Sequence, residues 1–190
     1  MTKRSLVLVT LGALIVIAAG AVLYYIFGPE HRRVQNASSS PVIGKAQVGQ
    51  SAPNFVVATT AGLFDLSKVD KPVFLEVFAT WCPHCQRETA VIDRLFRRYR
   101  DRVAFVGVSG SDTAMDGTSA SSQVDLLQWR QRFNAEYPVA YDPLLNVANL
   151  YLQGGFPTLA VIGRDKRVIY LSSGEVSYGE LSAAVEKALR

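Results

Sequence analysis

Val73-Phe74-Leu75-Glu76-Val77-Phe78-Ala79-Thr80-Trp81-Cys82-Pro83-His84-Cys85 is the stretch on which the rest of the chain turns. The run from Val73 to Ala79, opened by Pro72, is apolar at successive rather than alternate positions, apart from Glu76. That pattern predicts a central strand covered on both faces. A helix is predicted to follow directly, from about Pro83 to Tyr99. Proline suits the first helical turn, where its missing N–H would have been unpaired anyway. Val91, Leu95 and Tyr99 form an i, i+4 stripe, with Ile92 and Phe96 beside it. Both cysteines of the 190-residue chain lie here, three positions apart at the entry to the helix. On a first helical turn such a pair approaches closely enough to form a disulfide.

Unpaired N–H groups at the helix start and the macrodipole favour a thiolate at Cys82. A free cysteine titrates at about 8.5, whereas such sites reach roughly 3.5–7.5. Cys82, nearer the exposed end, is therefore expected to attack, and Cys85, one turn inward, to resolve the mixed disulfide. His84 supplies a group that can be cationic or donate to the Cys82 thiolate. Stabilising that thiolate makes the disulfide the stronger oxidant. Pro83 restricts the turn. Trp81, Pro83 and His84 border the pair and are candidate substrate contacts.

Glu76 interrupts the apolar strand six residues before Cys82. A buried carboxylate is costly and its pKa is raised. One reading makes it the proton acceptor for Cys85 during resolution; the other places it at a strand edge, reaching water. Glu88, one turn after Cys85, also has two readings. It exchanges a proton with Cys85, or it is an acid favoured near a helix N-terminus. Zinc does not fit, because Cys82, Cys85 and His84 fall short of four ligands and a helix turns His84 away from the pair. Covalent c-type haem needs a histidine after the second cysteine, where Gln86 stands. No peroxidatic Pro-x-x-x-Thr-x-x-Cys pattern surrounds Cys82.

The remaining pattern is that of an α/β domain. Asn54–Ala58 and Leu63–Leu66 suit a hairpin, and Val103–Val108 a further strand. Residues 110–122 are small and polar, and are expected to form a mobile loop. A helix over Gln123–Phe133 should turn Leu126, Leu127 and Trp129 inward. Val139–Tyr141 suits a short strand and Leu144–Leu152 a short helix. Thr158–Ile162 and Arg167–Leu171 suit a second hairpin, and Tyr178–Leu189 a closing helix. Gly154-Gly155-Phe156-Pro157-Thr158 precedes one of these strands. With a cis Phe156-Pro157 bond, that turn would present a backbone edge beside the cysteines.

Upstream, Ser5 to Phe27 is 23 residues without a charge. As a helix it would extend roughly 35 Å, against a bilayer core of about 30 Å. An uncleaved anchor over residues 1–27 is preferred to a signal peptide. The apolar run continues past the small-residue triplet Ala19-Gly20-Ala21, and a cut there would leave a sticky terminus. Residues 28–50, with Gly28-Pro29 and Ser38-Ser39-Ser40-Pro41, read as a flexible tether to a domain over 51–190.

The chain is 49% hydrophobic and 19% charged, too apolar for disorder. Two cysteines exclude a multi-disulfide scaffold. The net charge of +4 lies wholly within residues 1–46, and the remainder balances to zero. A nucleic-acid face therefore has no support in the main domain.

Ala52-Pro53-Asn54-Phe55, Phe78-Ala79-Thr80-Trp81-Cys82-Pro83-His84-Cys85 and Gly155-Phe156-Pro157-Thr158 together resemble the thioredoxin superfamily, in particular the membrane-anchored TlpA/ResA/CcmG-like thiol–disulfide oxidoreductases of bacteria. The resemblance spans about residues 47–190. It implies a thioredoxin-like α/β fold, a central mixed sheet flanked by helices, with an N-terminal hairpin and an insertion within 112–142. It implies a redox disulfide Cys82–Cys85, and a cis Pro157 that faces Cys82 and, with Phe156, grips the substrate chain. Glu76 aligns with the buried acid of thioredoxin, and Glu88 with a glutamate that follows the motif in ResA-like proteins. The expected partners are protein thiols or disulfides and a membrane electron-transfer protein, with no cofactor. The implied location is the bacterial inner membrane, with the domain on the periplasmic side. Pro83-His84 is instead the dipeptide of oxidising DsbA-type proteins, so the direction of electron flow stays open between a reductase, serving for example cytochrome c maturation, and an oxidase. A copper-handling module is a further alternative, but the second histidine, His31, lies in the tether.

Overall fold

A computed structural model describes residues 45–190. The expected membrane helix and most of the tether lie outside these residues. Among the described residues no helix is long and apolar enough to cross a membrane. The last part of the expected tether packs with the domain. Ala46 is buried and donates its N–H to Leu150 O at 2.8 Å, and Gly49 donates to Val168 O at 2.8 Å.

The strands are β1 (Val56–Thr59), β2 (Gly62–Asp65), β3 (Val73–Phe78), β4 (Ala104–Ser109), β5 (Val139–Tyr141), β6 (Thr158–Ile162) and β7 (Val168–Ser173). The helices are α1 (Pro83–Tyr99), α2 (Gln123–Arg132), α3 (Asn146–Tyr151) and α4 (Tyr178–Ala188). The strands form one mixed sheet in the order β2-β1-β5-β4-β3-β6-β7. β3 lies parallel to β4, with Glu76 opposite Gly107, and antiparallel to β6, with Glu76 opposite Leu159. All six β3 residues are buried, as a strand paired on both edges and covered on both faces must be. The expected N-terminal hairpin is β1–β2, paired from Val56↔Asp65 to Thr59↔Gly62. The segment expected as an insertion folds as a loop, α2 and β5, and extends the parallel part of the sheet.

Alternation along β3 divides two cores. Phe74 and Phe78 point with Cys85, Ile92, Leu95, Tyr99 and Trp129 into one, and Val73, Leu75 and Val77 with Val147, Tyr151 and Ile162 into the other. Glu76 has the parity of Phe74 and Phe78, so it enters the core beneath α1. The buried stripe of α1 is wider than its apolar residues, because Glu88, Thr89 and Asp93 belong to it.

Two expectations fail. Leu127 is 45% exposed while Leu126 and Trp129 are fully buried. At 100° per residue, Leu127 is turned off the stripe that Leu126 and Trp129 share. The 110–122 segment is closed by its own polar groups rather than loose. Ser121 N–H donates to Asp112 O, Ala114 N–H to Ser119 O, and Asp116 caps Thr118 and Ser119. Buried Asp125 ties this loop to the cysteine loop. It accepts from Met115 N–H at 2.9 Å and from Thr80 Oγ1 at 2.7 Å. Asp125→Ala is expected to cost about 2–3 kcal/mol in urea unfolding, because a buried N–H and hydroxyl lose their acceptor. A cost under about 0.5 kcal/mol would show that the loop is held by other contacts.

Candidate active site

The cysteine loop hangs from the end of β3. Cys82 caps α1 with an extended backbone, Pro83 takes the first turn, and Gln86 N–H donates to Cys82 O at 3.1 Å. Both cysteines are free thiols in this structure. Neither is broadly exposed: Cys82 is 4% exposed and Cys85 0%. The order expected from the helix survives, but Cys82 is sheltered. Its Sγ lies 3.6 Å from Phe156 O across the loop. The Phe156-Pro157 bond is cis. Trp81, 39% exposed, packs edge-on to Phe156 at 6.1 Å and donates through Nε1 to Ser111 Oγ at 2.9 Å. Trp81, Cys82, Phe156 and the 110–122 loop thus share one rim.

His84 makes no hydrogen bond to Cys82 in this structure. Its Nδ1 lies 2.6 Å from Glu175 Oε1. Arg87 donates through Nε to the same oxygen at 3.0 Å. The Arg87 guanidinium, with His84 second, holds the Glu175 carboxyl below its ordinary value. The segment carrying Glu175 is a bridge invisible in the sequence. Gly174 N–H donates to Pro157 O at 2.8 Å, and Val176 N–H donates to Glu88 Oε2 at 3.2 Å. It therefore joins the proline loop to α1.

Behind the cysteines lies a buried group of acids. Glu76 is 0% exposed, which excludes the strand-edge reading. Tyr137 Oη donates to its Oε2 at 2.7 Å, while Oε1 has no hydrogen-bond partner. Burial pushes the Glu76 carboxyl up to about 8; the Tyr137 hydrogen bond opposes this, and the charges of Glu88 and Asp93 add to it. Burial also pushes the Cys85 thiol far above its ordinary value, and the Glu76 charge pushes the same way. Glu88, 2% exposed, is not a solvated acid at a helix start. Burial raises it to about 7 against the pull of Val176 N–H, and its Oε1 also lacks a partner.

The fold therefore brings Cys82, Cys85, Trp81, Phe156, Pro157, Glu76 and Glu88 together, and turns His84 to the outer rim. Tyr137, Asp93, Arg87, Glu175 and Ser111 were not singled out from the sequence. Gly107, an interior glycine of β4, was the one available signal for Tyr137.

Residues 47–189 match the family model described as Redoxin. Thiol-disulfide oxidoreductase ResA of a Bacillus cereus strain is 30% identical over 148 residues, covering 75% of this chain and 79% of the relative. Its namesake in Halalkalibacterium halodurans is 25% identical over 132 residues, covering 68% and 70%. Among solved structures, a Chlorobium tepidum protein assigned as thiol:disulfide interchange protein DsbE superposes with a TM-score of 0.66 at 24% identity, over 77% of this chain and all of that one (100%). The thioredoxin domain of a thiol-disulfide oxidoreductase from Bacteroides vulgatus gives 0.62 at 17%, over 77% and 100%. At those identities the structures speak for the fold, which is thioredoxin-like. With the cysteine pair at a strand–helix junction and a proline loop against it, the chain belongs to the Redoxin family and, within the thioredoxin superfamily, to the TlpA/ResA/CcmG-like thiol–disulfide oxidoreductases.

Proposed function

We propose that this thiol–disulfide oxidoreductase works as a disulfide reductase on protein substrates, held to the bacterial inner membrane by residues 5–27 with its domain on the periplasmic side. In the forward step the Cys82 thiolate attacks a substrate disulfide and one substrate thiolate leaves. Cys85 gives its proton to the Glu76 carboxylate and attacks Cys82 Sγ. The Cys82–Cys85 bond forms, the mixed disulfide breaks, and the second substrate thiolate departs. Two electrons pass from the protein dithiol to the substrate. A membrane electron donor then restores the dithiol. Haem-binding cysteines of cytochrome c are one substrate class that needs such a reductant.

The observation that carries the reductant reading is the 2.6 Å contact of His84 with Glu175. A histidine that stabilised the Cys82 thiolate would favour the reduced pair and make an oxidant. Here its ring faces a carboxylate that Arg87 also neutralises.

The test is the reduction potential of the Cys82–Cys85 pair, by equilibration with a thiol buffer. A value near about −270 mV is expected, as for thioredoxin, and a value near about −120 mV, as for DsbA, would overturn the reading in favour of an oxidase.

A further inference from the structure

We propose that Tyr137 is the positioning residue of the buried proton acceptor: seated over Gly107, it holds Glu76 by one carboxylate oxygen and leaves the other free for Cys85. The proposal rests on the reading of Glu76 as the acceptor for Cys85.

Tyr137 lies 61 positions from Glu76 in sequence, and its ring reaches it across β4. Gly107 is the β4 residue paired with Glu76. A Cβ on Gly107 would stand 2.9 Å from Tyr137 Cε2 and 3.3 Å from both Phe78 Cε1 and Val139 Cγ1. No real Cβ tolerates the first of these, so the ring fills the place a side chain would occupy. A strand glycine ordinarily weakens a sheet; this one opens the path for the ring. Asp93 on α1 fixes the approach from outside by accepting Glu136 N–H at 2.8 Å. Thr89, on the same face of α1, donates through Oγ1 to Cys85 O at 3.0 Å.

Packing alone does not explain the hydroxyl, since phenylalanine would fill the same space. The groups facing Glu76 are Cys85, Glu88 and Asp93 from α1 and Tyr137 from the segment before β5, while β4 and β6 set Gly107 and Leu159 beside it. None of these is a cation. The Tyr137 O–H is the donor that makes a carboxylate tolerable there, and it opposes the upward push of burial. Without it fewer Glu76 side chains are carboxylates at neutral pH, and fewer can take the proton of Cys85.

The test uses the full chain and three variants: Tyr137→Phe, Gly107→Ala and Glu76→Gln. Glu76 protonation is followed by the infrared carboxyl band that Glu76→Gln removes. Resolution is followed as thiol release from a Cys82 mixed disulfide across pH. A hydrogen bond to a charged group is worth about tenfold in an equilibrium. Tyr137→Phe is therefore expected to raise the Glu76 midpoint by about one pH unit and to shift the resolution profile equally. Gly107→Ala should do likewise with the tyrosine still present but displaced. An unmoved Glu76 midpoint in Tyr137→Phe, with only the melting temperature lowered, would overturn the proposal. If Glu76→Gln resolves at the parental rate at every pH, the acceptor reading fails. A shifted carboxyl band in Tyr137→Phe would still support the placement of Glu76 by Tyr137.

Discussion

Cys82→Ser is expected to lower disulfide exchange by a factor on the order of 1,000 or more, while Cys85→Ser accumulates covalent adducts with substrate. The asymmetry follows from the geometry. Cys82 Sγ sits at the rim, beside Phe156 O at 3.6 Å, and Cys85 is wholly buried. A serine hydroxyl stays protonated at neutral pH and cannot attack a disulfide as a thiolate does. Cys85→Ser keeps the attacking sulfur but removes the one that releases the product. The mixed disulfide then persists until an external thiol resolves it. Incubation with an oxidised peptide, followed by mass measurement without reductant, separates the cases. Adducts on Cys82→Ser, or parental turnover by Cys85→Ser, would reverse the assigned roles.

Glu76→Gln is expected to make the protein more stable above pH 8 and slower in resolution. Glu76 holds its proton in the folded protein up to about 8, whereas 4.5 is its ordinary value. Between those values folding takes up a proton, so stability is fully present below about pH 4.5 and declines as pH rises toward 8. The interval of 3.5 units corresponds to about 4–5 kcal/mol at 1.36 kcal/mol per unit. The glutamine amide would give back about 1–3 kcal/mol, because it sets an unpartnered N–H at a buried site. A net gain on the order of 2 kcal/mol is therefore expected at pH 9, turning into a loss of about 1 kcal/mol near pH 5, where the proton penalty has nearly gone and the cost of the buried amide remains. Glu88, raised to about 7, contributes the same sign over a narrower interval and remains in the variant. Unfolding curves at pH 5, 7 and 9 check this, and a difference independent of pH would refute it. In exchange assays, loss of a positioned base is expected to slow resolution by about a hundredfold.

These two predictions draw differently on sequence and structure. The cysteine roles follow from spacing and the strand–helix junction, which are local. The extent of α1, Pro83–Tyr99, was legible for the same reason, because a proline start and an apolar period are written in consecutive residues. Leu127 shows the limit of such reading. An apolar residue next to a buried stripe looks like part of it until the partner surface defines the stripe's edge. The 110–122 segment shows another. Its small polar residues suggest looseness, yet Asp116 and Asp125 turn them into caps and cross-links. Side-chain hydrogen bonds of that kind depend on which backbone N–H groups are left over, and the sequence does not state that.

The sequence by itself determined the α/β class, the cysteine pair at a strand–helix junction and the anomaly at Glu76, because each is carried by the pattern of neighbouring residues; the cis bond before Pro157 and its place beside Cys82 came from the family resemblance and the structure. Only the tertiary structure decided the electrostatics. His84 meets Glu175 across 91 positions, Tyr137 meets Glu76 across 61, and Glu88 meets Val176 across 88. Burial and long-range partners set the proton affinity of a carboxylate, and both come into being only when distant strands and helices pack.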